Sequence, residues 1–474
     1  MRPRRLLALV LLAGAASGRA PLPAAFAQSG AATQKVWIYF RDKGPDPAAR
    51  RAEVALSPRA LARRALRGET RTVTLEDVPL VPAYAASVAA RVARVRHEVP
   101  WLNAMSVEAS AEQIGAVEAL PFVARVELVR GYRRRTDEDV RGRVHSAAND
   151  GGTVAGSAPT ALDYGPSAGQ LTQIGVPAVH DLGLHGQGVM IAVFDAGFDT
   201  LSHEAFAAMT IADRHDFVNG DEDVGDGGRG EGSHGTATLS VIGGYAPGHL
   251  IGPAFQSTFL LAKTENTDSE TPVEEDNWAA AVVWAEARGA DVISSSLGYL
   301  TYDPGSPSYT FADMNGSTAI STRAAEMAAS RGIVVVNSAG NEGLNLQHNT
   351  LGAPADGRLV LAVGAVTSTG SRASFSSVGP TADGRIKPDV LAQGVLVTAA
   401  APDTASGYTT VNGTSFSCPL TAGVVALMLQ ARPSATVQEV QDAIRATASQ
   451  AAQPDNQRGW GIVNAAQAVQ AISR

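Results

Sequence analysis

The stretch Asn412-Gly-Thr-Ser-Phe-Ser-Cys-Pro419 runs on as Leu-Thr-Ala-Gly-Val-Val-Ala-Leu-Met through residue 428. A Gly-Thr-Ser turn leads directly into an apolar pattern in which Phe416, Leu420, Val424, Leu427 and Met428 recur at spacings of three or four, the period of a helix. Pro419 is expected near the start of that helix, where a missing N–H does little harm, and Pro433 marks its far end. Ser415 is thereby placed at a helix N-terminus, where unpaired backbone N–H groups and the macrodipole favour negative charge. A serine that works beside an oxyanion belongs there, but so does an ordinary N-capping serine. The decision rests on partners elsewhere in the chain.

Working upstream, short unbroken apolar runs at Val189–Phe194, Phe259–Ala262, Val292–Ile293, Ile333–Val336 and Leu359–Val366 read as strands buried on both faces. Helical segments are expected at His234–Ile242, at Val273–Arg288 behind a Thr271-x-x-Glu274 capping box, and at Thr318–Arg331. This alternation predicts an α/β fold, a mostly parallel sheet with helices on both faces, in which ligands bind beyond the carboxyl ends of the strands. Three polar residues fall at such positions: Asp195 closes a strand in Phe-Asp-Ala-Gly, His234 opens a helix in Ser-His-Gly-Thr, and Asn341 follows a strand in Ser-Ala-Gly-Asn-Glu-Gly. Each alone has a bland reading as a turn or capping residue. Together, Asp, His and Ser occur in one of the chain orders known for nucleophilic acyl transfer.

The 474 residues suffice for two or three domains, and the composition (45% hydrophobic, 18% charged) is that of globular protein. Arg2, Arg4 and Arg5, the apolar run Leu6–Ala16 and Ala25-Phe-Ala27 have the form of a secretory signal peptide, expected over residues 1–27, with an earlier cut near Gly18 as the alternative. The apolar run is too short to span a bilayer, so no membrane span is expected and the product is read as secreted, whether periplasmic or extracellular. The single cysteine, Cys418, excludes an internal disulfide and reads as a small buried apolar residue.

Residues 35–133 alternate short strands (Val36–Phe40, Arg94–Glu98, Asn103–Ser110, Val123–Val129) with helices, one of them carrying Leu56, Leu61 and Ala65 behind Ser57-Pro58. This is expected to be a small α+β domain. Residues 134–163 lose all hydrophobic period and read as a linker before a large domain over 164–474. Charge divides along the same line. Residues 35–135 carry 18 Lys/Arg against 11 Asp/Glu, and residues 136–474 carry 16 against 35. Opposite signs favour docking of the two parts, and the acidic large domain argues against nucleic-acid binding.

The segments VMIAVFDAGFD, SHGTATLSVIGG, VVVNSAGNEG and NGTSFSCPLTAGVVAL, in this order, resemble the motifs of the subtilisin-like serine peptidases, the subtilases. RASFSSVGPTADGRIKPDVLAQG and the closing GWGIVNAAQAV are similar to the same family, with Phe-Ser-Cys in place of the commoner Met-Ala run after the serine. The resemblance implies a serine endopeptidase with Ser415 as nucleophile, His234 as general base and acid, Asp195 orienting the imidazole, and Asn341 with the Ser415 N–H as oxyanion donors. It further implies that Ser296-Leu297-Gly298 pairs with an extended peptide, that Gly340 and Gly352 line the S1 pocket, and that Glu342 at its rim favours a basic P1 residue. Residues 36–129, through WLNAMSVEAS, resemble the ferredoxin-like propeptides of subtilases, intramolecular inhibitors removed by self-cleavage, here expected between Tyr132 and Tyr164.

Protein or peptide substrates and a monomeric state follow from that resemblance. No cofactor is required by it and no metal ligand is assigned. A structural calcium ion, common in the family, is one reading of the crowded Asp213, Asp216, Asp221, Glu222, Asp223 and Asp226; a solvated acidic loop is the other. His203 and His215 nearby read as surface groups. Two rival functions are a catalytically silent binding module and an esterase or acyltransferase using the same serine.

Overall fold

The computed structural model describes residues 33–70, 72–129, 162–225, 232–266, 275–300 and 308–474. The expected signal peptide, most of the linker, the Thr271–Glu274 capping box and Asp226 lie outside the described residues.

The small domain runs β1 (Gln34–Phe40), α1 (Pro58–Arg67), α2 (Pro82–Ala89), β2 (Arg94–Val99), β3 (Ala104–Ala109), α3 (Ala111–Glu118) and β4 (Val123–Leu128). Its antiparallel sheet has the order β2-β3-β1-β4. With α2 and α3 as the crossovers, this is the β-α-β-β-α-β ferredoxin-like arrangement expected. Helix α3 begins with a full capping box between Ser110 and Gln113. Val36, Ile38, Val88, Met105, Val107 and Val117 fill the domain's own core.

Helix α1 is extra to that pattern, and its leucines are not the residues it buries. Its buried face consists of Ala60, Arg63, Arg64 and Arg67, whereas Leu61 and Leu66 are 45% and 50% exposed. The physical reason is that α1 packs against a charged surface of the large domain and contributes nothing to the core of its own.

The large domain continues with α4 (Ala168–Gln173), α5 (Val176–His180), β5 (Met190–Asp195), β6 (Thr210–Asp216), α6 (Gly232–Gly243), β7 (Tyr245–Ala246), β8 (Leu250–Ile251), β9 (Thr258–Lys263), α7 (Glu275–Arg288) and β10 (Val292–Ser295). It closes with α8 (Ile320–Ser330), β11 (Val334–Ser338), β12 (Val360–Val366), β13 (Val390–Gln393), β14 (Val397–Ala400), β15 (Tyr408–Val411), α9 (Thr414–Ala431), α10 (Val437–Thr447) and α11 (Ala465–Ile472). Seven parallel strands form the central sheet in the order β13-β12-β11-β10-β5-β9-β6.

Alternation along each strand sends side chains to two separate cores. Ile191, Val193, Val334, Val336, Leu361 and Val363 meet α6 and α9 on one face, with α10 and α11 behind them. Ala192, Phe194, Ile293 and Val335 meet α7 and α8 on the other. Helix α9 is long and apolar enough to cross a membrane on those two criteria alone, yet it is buried from Thr414 to Leu429 as the central core helix.

The small domain docks on α7 and α8. Trp37, Tyr39, Val99, Trp101 and Leu102 join the same apolar cluster as Trp278, Ala281, Ala285, Ala324 and Ala328. Beside it, Arg96 Nε donates to Asp276 Oδ2 at 2.7 Å. The charge asymmetry of the sequence is thus realised in a contact: burial pushes the Asp276 carboxyl up, but the paired Arg96, with His97 nearby, holds it down at about 2.

Candidate active site

Strands β5, β10 and β11 end level with one another: Phe194 is in register with Ser295, and Ser295 with Asn337. One step beyond lie Asp195, Ser296 and Ser338, so the parallel pairing alone gathers three chain segments at one rim of the sheet.

Asp195 is fully buried and its carboxylate accepts three hydrogen bonds. His234 Nδ1 donates to Oδ1 at 2.6 Å, the Ala196 N–H to Oδ1 at 2.7 Å, and Thr238 Oγ1 to Oδ2 at 2.8 Å. Thr238 lies one helical turn after His234 on α6, so one helix face supplies two of the three donors. Gly235 allows this approach. A Cβ there would stand 2.0 Å from the Gly197 carbonyl oxygen and 3.1 Å from Asp195 Cβ. Because the carboxylate can only accept, Nδ1 carries a proton, and in a neutral imidazole so oriented Nε2 is the acceptor.

Ser415 is the second residue of α9 and 4% exposed. Gly413 before it has φ 145°, a backbone conformation few side chains permit. The imidazole of His234 lies against the ring of Phe416, with centroids 5.5 Å apart, which brings α6 to the first turn of α9. The bulk at position 416 therefore forms a wall for the imidazole.

Pro419 is not at the start of α9, as the sequence suggests, but inside it. The N–H it lacks is the one that would reach the Ser415 carbonyl four residues earlier. Ser296 Oγ takes over that duty, donating to Ser415 O at 2.7 Å, and Ser415 Oγ in turn donates to Ser296 O at 3.4 Å. The end of β10 and the start of α9 are thereby held together by two reciprocal hydrogen bonds.

Asn341 reaches the same place from β11. Its Oδ1 accepts from the Thr414 N–H at 3.0 Å and from Thr414 Oγ1 at 2.9 Å, which aims the amide NH₂ group away from Thr414. Thr414 Oγ1 also accepts from the Gly340 N–H at 3.3 Å.

The residues expected to bind substrate are also brought together. Ser296-Leu297-Gly298 continues beyond β10, outside its ladder, with the Leu297 carbonyl held by Asn337 Nδ2 at 2.8 Å. Gly298 and Gly352 face one another so closely that a Cβ on Gly352 would stand 3.1 Å from Gly298 Cα. Tyr299 and Ala353 fix that approach by exchanging backbone hydrogen bonds of 2.9 and 3.0 Å. Gly340 has φ 112°, and a Cβ there would meet Ser377 Oγ at 2.8 Å. A positive φ and this close approach thus favour glycine at 340, and the facing backbone leaves little room for a side chain at 352, independently of any ligand. Glu342 is exposed, its N–H bonded to Ser377 Oγ at 3.1 Å.

Three contributors were not read from the sequence: Thr238, Thr414 and the hydroxyl of Ser296. Only Thr238 left a signal, its spacing of four from His234. Of the acidic residues, Asp221, Glu222 and Asp223 are exposed and Asp216 is buried. Asp213 pairs with Arg288, Asp216 pairs with Lys263 at 3.2 Å, and Asp221 and Asp223 cap backbone N–H groups of their own loop. Among the described residues no group of three or more His, Cys, Asp or Glu side chains is placed to hold a metal ion. His203 is not a surface group: it is buried, with Nε2 donating to the Gly407 carbonyl at 2.7 Å and Nδ1 accepting from the Ala205 N–H. Cys418 is buried as expected, and that burial pushes its thiol up to about 12.

Comparison with known proteins identifies the family. The subtilase family model matches residues 186–461, and the Bacteroidota propeptide-domain model of peptidase S8 matches residues 35–142. Subtilisin of Bacillus pumilus is 32% identical over 280 residues, covering 59% of this chain and 90% of its own. Subtilisin E of Bacillus subtilis strain 168 is also 32% identical over 280 residues, covering 65% of its own length. The M-protease of Shouchella clausii strain KSM-K16 is 29% identical over 369 residues, 78% of this chain and 80% of its own. A parallel sheet with a hydrogen-bonded Asp–His pair beside a helix-borne serine, an N-terminal inhibitor-like domain, and these matches lead to one conclusion: the chain belongs to the subtilase family of serine endopeptidases and carries that family's propeptide.

Proposed function

We propose that the chain is exported, cuts itself free of its propeptide, and hydrolyses peptide bonds through an acyl-enzyme on Ser415. The observation that carries this is the 2.6 Å hydrogen bond from His234 Nδ1 to the fully buried Asp195, in an imidazole held against the first turn of the helix that bears Ser415.

In the proposed reaction Ser415 Oγ attacks the scissile carbonyl carbon while His234 Nε2 takes its proton. Asp195 holds the Nδ1–H tautomer and stabilises the imidazolium that forms. The negative charge on the former carbonyl oxygen is met by Asn341 Nδ2 and the Ser415 N–H, the latter favoured by its place in the first turn of α9. The C–N bond then breaks, and His234 returns the proton to the leaving amine. Water repeats the sequence with His234 again as base, releasing the acid and restoring Ser415.

Ser296-Leu297-Gly298 is proposed to pair with the substrate backbone, a β-augmentation. Gly340 and Gly352 are proposed to line the S1 pocket, with Glu342 favouring Lys or Arg at P1. The basic, then apolar leader over residues 1–27 supports export, and residues 132–164 are the proposed region of maturation.

The test is a fluorophosphonate label on the secreted product, with N-terminal sequencing and intact mass. The expected result is one adduct on Ser415 of a chain that begins between residues 132 and 164. An unlabelled Ser415, or an active form still beginning before Trp37, overturns the reading. Casein turnover far above that of a simple ester is expected; the reverse points to an esterase. Asn341→Ala should lower kcat by about 10²–10³, the loss known for such a donor in a subtilisin.

A further inference from the structure

The ferredoxin-like pattern of the small domain needs one crossover between β1 and β2, and α2 supplies it. The stretch 41–81 is therefore an excursion, and α1 within it points its arginines into the large domain. Arg63 Nε donates to the Arg331 carbonyl at 3.1 Å, its Nη1 donates to the Ala290 carbonyl at 2.6 Å, and its Nη2 pairs with Glu286. Arg64 spans Glu286 (2.8 and 2.9 Å) and Asp77 (2.8 and 3.0 Å). Arg67 donates to the carbonyls of Gly332 at 2.8 Å and Pro433 at 3.0 Å and pairs with Asp291. Arg59 adds Gly289 O at 3.0 Å, Gly188 O at 2.6 Å and a second oxygen of Asp291. In return, Asp77 of the excursion accepts from Arg331 of the large domain, whose guanidinium lies 4.2 Å over the Trp101 ring.

This surface has a definite chemistry. It follows the C-terminal ends of α7 and α8, where helix dipoles and unsatisfied carbonyls favour cations, and it adds the carboxylates of Glu286 and Asp291. Planar guanidinium groups fit such a mixture of carbonyl and bidentate carboxylate acceptors better than ammonium groups do. The match is also one of shape: a Cβ on Gly289 would stand 2.7 Å from Arg59 Cγ, and one on Gly332 would stand 3.0 Å from Arg67 Cγ. The site lies at the amino ends of β10 and β11, and Ser296 and Asn341 lie past their carboxyl ends. It is thus the far end of the sheet from Ser415.

We propose that this acidic, carbonyl-rich face is an exosite for an arginine-bearing helix, filled in the zymogen by α1, and that it keeps the propeptide seated after the chain between the two domains is cut. The proposal rests on the maturation reading only for its setting. The arm at the strand ends adjoins the sheet's contact on α7 and α8 and shares Arg331 and Trp101 with it, so losing the arm's ion pairs weakens the complex while the apolar contact of Trp37 and Tyr39 with α7 and α8 remains.

The experiment uses the full chain with Ser415→Ala and a recognition site for a sequence-specific protease inserted between residues 140 and 155. Cutting is then external, and the outcome is independent of self-processing. After cutting, the Kd of the two parts is measured by size exclusion over a dilution series. Combining Arg63→Met with Arg67→Met should raise Kd on the order of a hundredfold or more. Arg59→Ala, on a side chain 38% exposed, should raise it less, and Glu286→Gln on the partner face should raise it in the same direction. If the double variant does not fold, Arg59→Ala and Glu286→Gln carry the test by themselves. Raising NaCl from about 0.05 to about 0.5 M should weaken the parent pair more than the variants. Kd values within about threefold of the parent and equal salt dependence overturn the proposal.

Discussion

Replacing Ser296 by alanine should destabilise the large domain because of a proline in a different element, Pro419 of α9. In a regular helix the Ser415 carbonyl would accept from the N–H of residue 419, which proline lacks. Ser296 Oγ makes up for it at 2.7 Å, and both Ser296 and Ser415 are buried, at 5% and 4% exposure. Ser296→Ala therefore strands a buried carbonyl, a loss of about 1–3 kcal/mol. Pro419→Ala restores an N–H four residues on, so the same Ser296→Ala change in that background should cost under about 0.5 kcal/mol. The coupling energy of the pair is then about 0.5–3 kcal/mol, against the few tenths expected of independent sites. The assay is urea unfolding of all four combinations in a Ser415→Ala chain, which on the proposed mechanism cannot digest itself and which leaves the carbonyl untouched. Midpoints should shift with the slope unchanged. Equal losses from Ser296→Ala with and without the Pro419→Ala change would refute the reasoning, since the hydroxyl would then not be serving the carbonyl that proline leaves open.

Gly235→Ala should abolish measurable hydrolysis of a peptide substrate and lower the unfolding midpoint, because its Cβ would overlap the Gly197 carbonyl at 2.0 Å; near-normal kcat would exclude that approach as the reason for glycine. Thr238→Val removes one of three donors to Asp195 and should lower kcat about tenfold with KM little changed, an outcome that equal kcat values would contradict. Burial holds the His180 imidazole down at about 4, with Nε2 donating to the Pro253 carbonyl and Nδ1 accepting from Tyr164 OH. A depressed imidazole is neutral when folded, so its contribution is complete above the ordinary value of 6.5 and is lost as pH falls toward 4, about 3 kcal/mol in all. His180→Gln should flatten the fall in stability between those pH values, and a parallel profile would show that other groups cause it.

The residues that were legible in the sequence share a property: their surroundings are set by neighbours in the chain. Val189–Phe194 reads as a strand because a parallel strand covered on both faces is apolar throughout, and Asp195, His234 and Asn341 stand out as polar breaks where such elements end or begin. Strand β6, Thr210–Asp216, was missed because it is an edge strand with Asp213, Arg214 and His215 in it, which periodicity cannot separate from a loop. Helix α1 carries the lesson furthest. Its mixture of arginines and leucines announces a helix and a two-faced one, but which face turns inward is decided by Glu286 and Asp291 more than 200 positions away. A hydrophobic pattern predicts the buried face only when the partner is an apolar core. Where the partner presents carboxylates and the last carbonyls of two helices, the arginines go in and Leu61 and Leu66 are left in solvent. The same dependence explains Pro419, which is tolerable inside α9 only because a hydroxyl from the end of β10 arrives to replace what it lacks. Such positions depend on two segments arriving together, so a reading that moves along one segment at a time sees a misplaced residue where the fold has a matched pair.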